Sequence, residues 1–380
     1  MLVTQVKDLV NLATKEALGA EAIQTEDLTN IVDMGEAIFN ANAVDAYVRS
    51  LVNHIGKVVF VNRPYSGSAP SVLMDGWEFG SVLEKITAEL PEASENETWD
   101  LQDKQSYDPN IFYKPKVEAK FYNKRVTFEI DVSITERQVK QSFSSATQLN
   151  AFVSMIYNEV DKAMTIKIDS LVMKTITNMI SVTMTDNNAN RAVNLLALYN
   201  SEIAPSTPLT AAKALYNLDF IKFASYKMKL YATRLGTISR LFNIGGKARF
   251  TPRDLLHIVM LEEFKSSADV YLQSDTFHNE FVKLPEAEGV AYWQGSGTDY
   301  AFASTSKIMV KDSEGNSTTK TGILAVMFDR DALGVCNKDK RVTTDYNAKA
   351  EFYNNFYKFD CEYFNDTNEN FVVFYIADAV

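Results

Sequence analysis

The stretch that most limits how this chain folds is TQLNAFVSMIYNEVDKAMTIKIDSLVMKTITNMI, residues 147–180. Leu149, Phe152, Val153, Ile156, Val160, Met164, Ile168, Leu171, Val172, Ile176 and Met179 recur at steps of three and four, the period of a helix face. Thr147 reads as its cap. Thirty-odd residues of helix reach roughly 48 Å at about 1.5 Å per residue. A compact chain of 380 residues has a radius of gyration of only about 21 Å. Such a helix crosses the molecule as a spine and predicts an elongated or flat subunit.

The spine stands between segments of strand character. KVEAKFYNKRVTFEIDVSI alternates, with Val117, Ala119 and Phe121 at odd positions and Val126, Phe128, Ile130, Val132 and Ile134 at even ones. The parity flips at Asn123-Lys124, which predicts a tight hairpin turn there. The chain closes on FYNNFYKFDCEYFNDTNENFVVFYIAD, in which Tyr353, Tyr357, Phe359, Cys361 and Tyr363 share one side of a period-two pattern. After a polar turn at 365–370, the apolar run 371–376 is expected to return as a partner strand buried on both faces.

Residues 1–50 read as helical and linker-like, and KVVFVNRPYSGSAPSVLMDGWEFGSVL as a long hairpin or extended loop, broken at Pro64, Gly67, Pro70 and Asp75-Gly76. PEASENETWDLQDKQSYDPN is a polar, acidic connection. Beyond the spine, LTAAKALYNLDFIKFASYKMKLYATRLG predicts a helix, DLLHIVMLEEF a buried strand, SSADVYLQSDTFHNEFV a short helix and GILAVMFDRDALGVC a second buried strand. Short apolar strands alternating with helices make an α/β insert around 183–335.

Chemistry finds few footholds. With 49 acidic against 38 basic residues and a net charge of −11, the chain lacks the general basic footprint of a phosphate-backbone binder. The N-terminus reads as an amphipathic helix without the pattern of a signal peptide, and no stretch approaches a membrane span. Cys336 and Cys361 are too few for a disulfide scaffold and suit a reducing cytoplasm, where the sequons at Asn96, Asn316 and Asn365 carry no meaning. QGSGTDYAF lacks the third glycine of a dinucleotide loop, and FNIGGKARF sets a glycine pair before Lys247 and Arg249 that could hold an anion but reads as a plain turn. His54, His257 and His278 stand in no metal spacing; His257 falls in the strand run LLHIVML and His278 on a short helix. There is no GxSxG elbow. Glu262-Glu263 and Asp329 with Asp331 read as a solvated face, and the C-terminal aromatic stripe as core with interface anchors among it. No catalytic, cofactor-binding or metal-binding residue is nominated. An intracellular hydrolase with a catalytic α/β insert would need a cluster of ionisable groups that nothing here supplies.

Taken in order, LVNHIGKVVFVNRP leading into the extended loop, AFVSMIYNEVDKAMTIKIDSLVMK on the spine and YNNFYKFDCEYFNDTNENFVVFY at the end give the chain a likeness that spans residue 45 to the C-terminus. It resembles the major capsid proteins of tailed bacteriophages, with the Hong Kong 97-type shell fold, and looks most like those of small, short-tailed podoviruses. The resemblance implies an α+β fold with an N-terminal arm (1–56), an extended loop (57–85), a peripheral domain with the spine helix (86–182), an axial domain (183–335) and return strands of the peripheral domain (336–380). It implies a structural protein, not an enzyme, that assembles with itself into hexamers and pentamers of an icosahedral shell. That shell encloses double-stranded DNA without sequence-specific binding, with scaffolding and portal proteins as further partners, no membrane and no cofactor. It places the protein in the virion after assembly in the host cytoplasm. Arg63, Asp75 and Trp77, in the extended loop, are the candidate inter-subunit contacts. The rival is a tail, sheath or other open-polymer structural protein, against which the long spine and the interposed α/β insert favour the shell.

Overall fold

The structure, a computed structural model, describes residues 11–16, 46–47, 50, 69–74, 83–91, 93, 95, 99–138, 146–274, 285–293, 308–311 and 317–378. The chain divides into two compact units, one holding Met1–Gly76, Arg125–Met173 and Val335–Glu362, the other Trp77–Lys124, Lys174–Gly334 and Tyr363–Val380. Helix and sheet are mixed in it.

The first unit is built on β1 (Leu73–Met74), β4 (Arg125–Thr135), β11 (Leu333–Asn347) and β12 (Phe352–Asn365), in the order β1-β11-β12-β4. β12 runs antiparallel to β4 from Phe352 opposite Thr135 to Glu362 opposite Arg125. Tyr353, Tyr357, Phe359 and Cys361 are buried, as their alternation requires. Asn355 shares that face and stays satisfied there, its Nδ2 donating to the Val132 carbonyl at 3.1 Å and its Oδ1 accepting from Thr344 at 3.2 Å.

The spine is a 41-residue helix, α1 (Ala146–Asp186). It begins one residue before Thr147, which therefore lies inside the first turn and is not the cap the sequence suggested. From Ile168 to Ile180 nearly every side chain is buried, including Ser170, Thr175 and Thr177, so this part is enclosed all round and is more than a one-faced amphipathic helix.

In the second unit β5 (Ala192–Asn194), β6 (Leu256–Leu261), β7 (Glu288–Val290), β10 (Ile323–Asp329) and β13 (Phe371–Tyr375) form one sheet, ordered β5-β13-β10-β6-β7. The registers put Ile258, Met260, Ala325, Met327, Val372 and Phe374 on one face. Against it pack α2 (Leu195–Glu202), α4 (Leu218–Leu235) and α5 (Glu262–Ser274), through Leu196, Tyr199, Phe220, Ala224, Tyr231 and Phe264 among others. The helix expected over 209–236 is divided. A short α3 (Ala211–Ala214) ends before Asn217, whose side chain accepts from the Phe220 N–H at 2.9 Å and starts α4 anew. A further pair of strands, β8 (Ile308–Lys311) and β9 (Ser317–Lys320), is antiparallel.

Two strand partnerships differ from the sequence reading. Asn123-Lys124 is not a hairpin turn: the strand before it, β3 (Val117–Tyr122), pairs with β2 (Leu83–Ala88), and β4 pairs with β12. The parity flip marks a change of sheet. Nor does 371–375 return to β12, whose two neighbours are already β11 and β4. β13 lies between β10 and β5 instead, where an unbroken apolar strand can be covered on both faces.

Candidate functional site

β2 and β3 form a two-stranded antiparallel sheet, joined through residues 89–116 and, among the described residues, hydrogen-bonded to no other strand. The whole of this arm belongs to the second unit. Its register sets Lys85 opposite Lys120 and Thr87 opposite Glu118 on one face, and Glu84 opposite Phe121, Ile86 opposite Ala119 and Ala88 opposite Val117 on the other. The burial is inverted. The charged face is turned inward, while Ile86, Val117 and Phe121 are exposed, Phe121 to 64%. Val117, Ala119 and Phe121, which alternate as a core face in the sequence, thus face solvent. An apolar strand face with water on it is the reverse of the usual rule for a single chain.

The inward face is held by charge. Lys85 Nζ lies 3.0 Å from Asp366 Oδ2 and 2.8 Å from Glu369 Oε1, and donates to the Asp331 carbonyl at 3.2 Å. Lys120 reaches Asp366 Oδ1 at 3.1 Å, and Arg249 pairs with Glu369 at 3.3 Å. Farther out the polarity reverses, with Lys247 Nζ 3.0 Å from Glu89 and 2.8 Å from Glu118. At the root the Tyr122 and Phe364 rings meet at 5.3 Å.

The pKa shifts follow the geometry. Bonds and charge from Lys247 hold the Glu89 and Glu118 carboxyls below the usual range, and those two carboxylates raise Lys247 in turn. Burial pushes Asp366 up, but the Asn368 N–H together with Lys85 and Lys120 outweighs it, so Asp366 ends low. For Glu369 burial prevails over Lys85 and Arg249, and its carboxyl is raised. Burial would lower Lys85, yet Glu369 and Asp366 leave it raised.

Among the described residues, the tip carries the most exposed large apolar side chains, with Phe112 and Tyr113 nearly as exposed as Trp99. Trp99 is 96% exposed, and Leu101, Ile111, Phe112 and Tyr113 are exposed with it. Gln102 N donates to the Tyr107 hydroxyl at 3.3 Å and Asn110 N to Asp108 Oδ1 at 2.9 Å, so the connection has local turns of its own.

The glycine-lysine motif is part of the same arrangement. The Gly245 N–H donates to the Thr367 carbonyl at 2.9 Å and the Lys247 N–H to Asn243 Oδ1 at 2.7 Å. A Cβ at Gly245 would stand 1.9 Å from Asn368 Oδ1, and Gly246 has a φ of +62°. The motif is a turn that receives the arm.

Of the residues singled out in the sequence, Arg63, Asp75 and Trp77 lie outside the described residues, as do His54, His278, Asn96, Asn316 and QGSGTDYAF. His257 pairs with Phe328 in β6, with Nε2 buried and burial lowering its pKa. Glu262 and Glu263 are solvated in the first turn of α5. Asp329 is not on a solvated face: it is buried and its Oδ1 accepts from the Asp331 N–H at 2.9 Å. Cys336 and Cys361 are buried free thiols. Among the described residues no His, Cys, Asp and Glu group could hold a metal ion, and no helix is long and apolar enough to cross a membrane. The residues that sequence reasoning missed are Lys85, Glu89, Glu118, Lys120, Asp366 and Glu369; the one local signal was Glu118 and Lys120 alternating in KVEAKFY.

A family model described as Phi29-like phage major capsid protein matches residues 10–375. A capsid structure of Staphylococcus phage Andhra is similar in fold, with a TM-score of 0.51 at 9% identity over 81% of this chain and 83% of that one. A structure of the head fiber and inner core protein gp22 of native bacteriophage P68 is similar with a TM-score of 0.52 at 10% identity, over 83% and 86% of the two chains. A search of curated proteins finds no match.

Proposed function

The chain belongs to the family of Phi29-like phage major capsid proteins and is a shell-forming structural protein, and on that premise we propose that its copies close into hexamers and pentamers of an icosahedral head around double-stranded DNA. The observation that carries the subunit-contact part of this reading is the inverted arm, whose Ile86, Val117 and Phe121 face water in the single chain. A second copy is the occupant that a self-assembling shell supplies, and heterologous contacts of this kind generate closed rings when the rotation closes.

On this reading the fold is of the Hong Kong 97 type. The unit with β4, β11, β12 and the start of α1 serves as the peripheral domain, the five-stranded sheet with α2–α5 as the axial domain, and β2–β3 with its connection as an extended loop beyond the 57–85 segment. Arg63, Asp75 and Trp77 keep their proposed role as further contacts. Scaffolding and portal proteins are the additional partners, and the virion, assembled in the host cytoplasm, is the location. The net charge of −11 supports enclosing DNA without adhering to it.

The test is a triple substitution, Ile86→Ser, Val117→Ser and Phe121→Ser, in the full chain. Exposed changes of this kind leave the subunit's melting within a few degrees. Sedimentation should show assemblies of the parent chain replaced by monomers. Assemblies of unchanged size would place the contact elsewhere.

A further inference from the structure

The arm docks on its own unit through charge. Its inward residues read positive near the root, with Lys85 and Lys120, and negative farther out, with Glu118 and Glu89; the surface beneath reads negative at Asp366 and Glu369, then positive at Lys247. The two polarities meet in one register, and sliding the arm by two residues along its length would bring like charges together. Aromatic contact from the arm is recorded at the root, between Tyr122 and Phe364. A cleft of about 280 Å³, lined by Thr87, Glu89, Lys116, Arg240, Gly246 and Lys247, opens beside the outer pairs. Water and salt therefore reach the Lys247 contacts, while Asp366 is nearly fully buried.

We propose that this charge-complementary face is a releasable latch, which holds the arm against its own unit at low ionic strength and frees it when the outer pairs are screened or broken. Three features carry the inference. Two-stranded hairpins are marginal alone and need docking to stay ordered. The docking here is ionic, and exposed pairs weaken with salt where apolar packing does not. The outer face, being apolar, is left free for another occupant in either position. The latch is a property of the single chain and does not depend on the shell reading; within a shell it would let one sequence set its arm at more than one angle.

Hydrogen exchange read by mass spectrometry on the unassembled full-length chain tests it. In the parent, amides of residues 83–122 should exchange about tenfold faster in roughly 0.5 M than in 0.02 M salt, with β6, β10 and β13 unchanged. Lys247→Glu should give the fast pattern even at low salt. The exchanged set Lys247→Glu with Glu89→Lys and Glu118→Lys should restore protection. Arm exchange that ignores both salt and Lys247→Glu would overturn the latch, as would a rise shared by the five-stranded sheet, since the arm would then open only with its unit. Because the readout needs no assembly, a failed latch leaves the shell reading standing, and absent shells leave the latch standing.

Discussion

Gly322 shows how narrowly some single positions are set. Its φ is +77°, and a Cβ there would stand 2.4 Å from the Ile376 carbonyl oxygen, which belongs to the residue whose N–H donates to the Gly322 carbonyl at 2.8 Å. Gly322→Ala should lower stability by about 2 kcal/mol in urea unfolding, because the backbone must leave both the left-handed region and that contact. Arg191 is a second such position. It is buried, pairs with Asp186, and donates Nη1 to the carbonyls of Leu241 at 3.1 Å and Asn243 at 3.0 Å. Arg191→Ala should cost about 3 kcal/mol, since a carboxylate and two carbonyls lose their partner together. The carboxylates beneath the arm titrate in opposite senses. Glu89, Glu118 and Asp366 are held low, so the stability they contribute is fully present above their ordinary values of about 4 and is lost as pH falls through their folded values. Glu369 is raised, so its own contribution runs the other way, declining as pH rises through its folded value. Protonation of Glu89, Glu118 and Asp366 breaks their pairs with Lys247, Lys85 and Lys120, so arm protection should fall on acidification below about pH 4, and Glu369→Gln should remove the opposing contribution and steepen that fall. Exchange at pH 6 and pH 3.5 measures both.

At the scale of elements, β13 is buried almost throughout. Phe374 is fully buried between the β10 and β5 neighbours and meets the Tyr231 ring edge-on at 5.3 Å. Phe374→Ala should therefore cost about 4 kcal/mol, against less than 0.5 kcal/mol for Phe112→Ala on the exposed tip. The same elements show what could be read from the chain. Helical period located α1, strand alternation located β12, and apolar runs located β6, β10 and β13, because each pattern records burial within one subunit. Pairing was harder. β3 finds β2 across the long connection 89–116, and the nearer strand β4 was the more economical partner on sequence grounds. The arm was illegible for a stronger reason: Val117, Ala119 and Phe121 alternate as a core face does, while the charged face opposite them finds its partners on residues far away in the chain, Asp366, Glu369 and Lys247, which local periodicity cannot show. Asp329 was misjudged in a similar way, since a local N–H bond lets a carboxylate sit inside.

At the scale of the molecule, family membership gives the protein its role as a shell-forming subunit. A shell is held by many modest contacts repeated by symmetry, so each interface can be weak while the closed assembly persists. That suits an arm whose apolar face is small and whose own docking is ionic. Closure of the shell is tested most directly by negative-stain microscopy of the purified full-length chain, with and without a scaffold candidate and alongside sedimentation to count subunits. The expected result is closed shells, or free hexamers and pentamers that close when scaffold is added. Open tubes or sheets of indefinite length under every condition would contradict it and return the chain to the tail and sheath proteins.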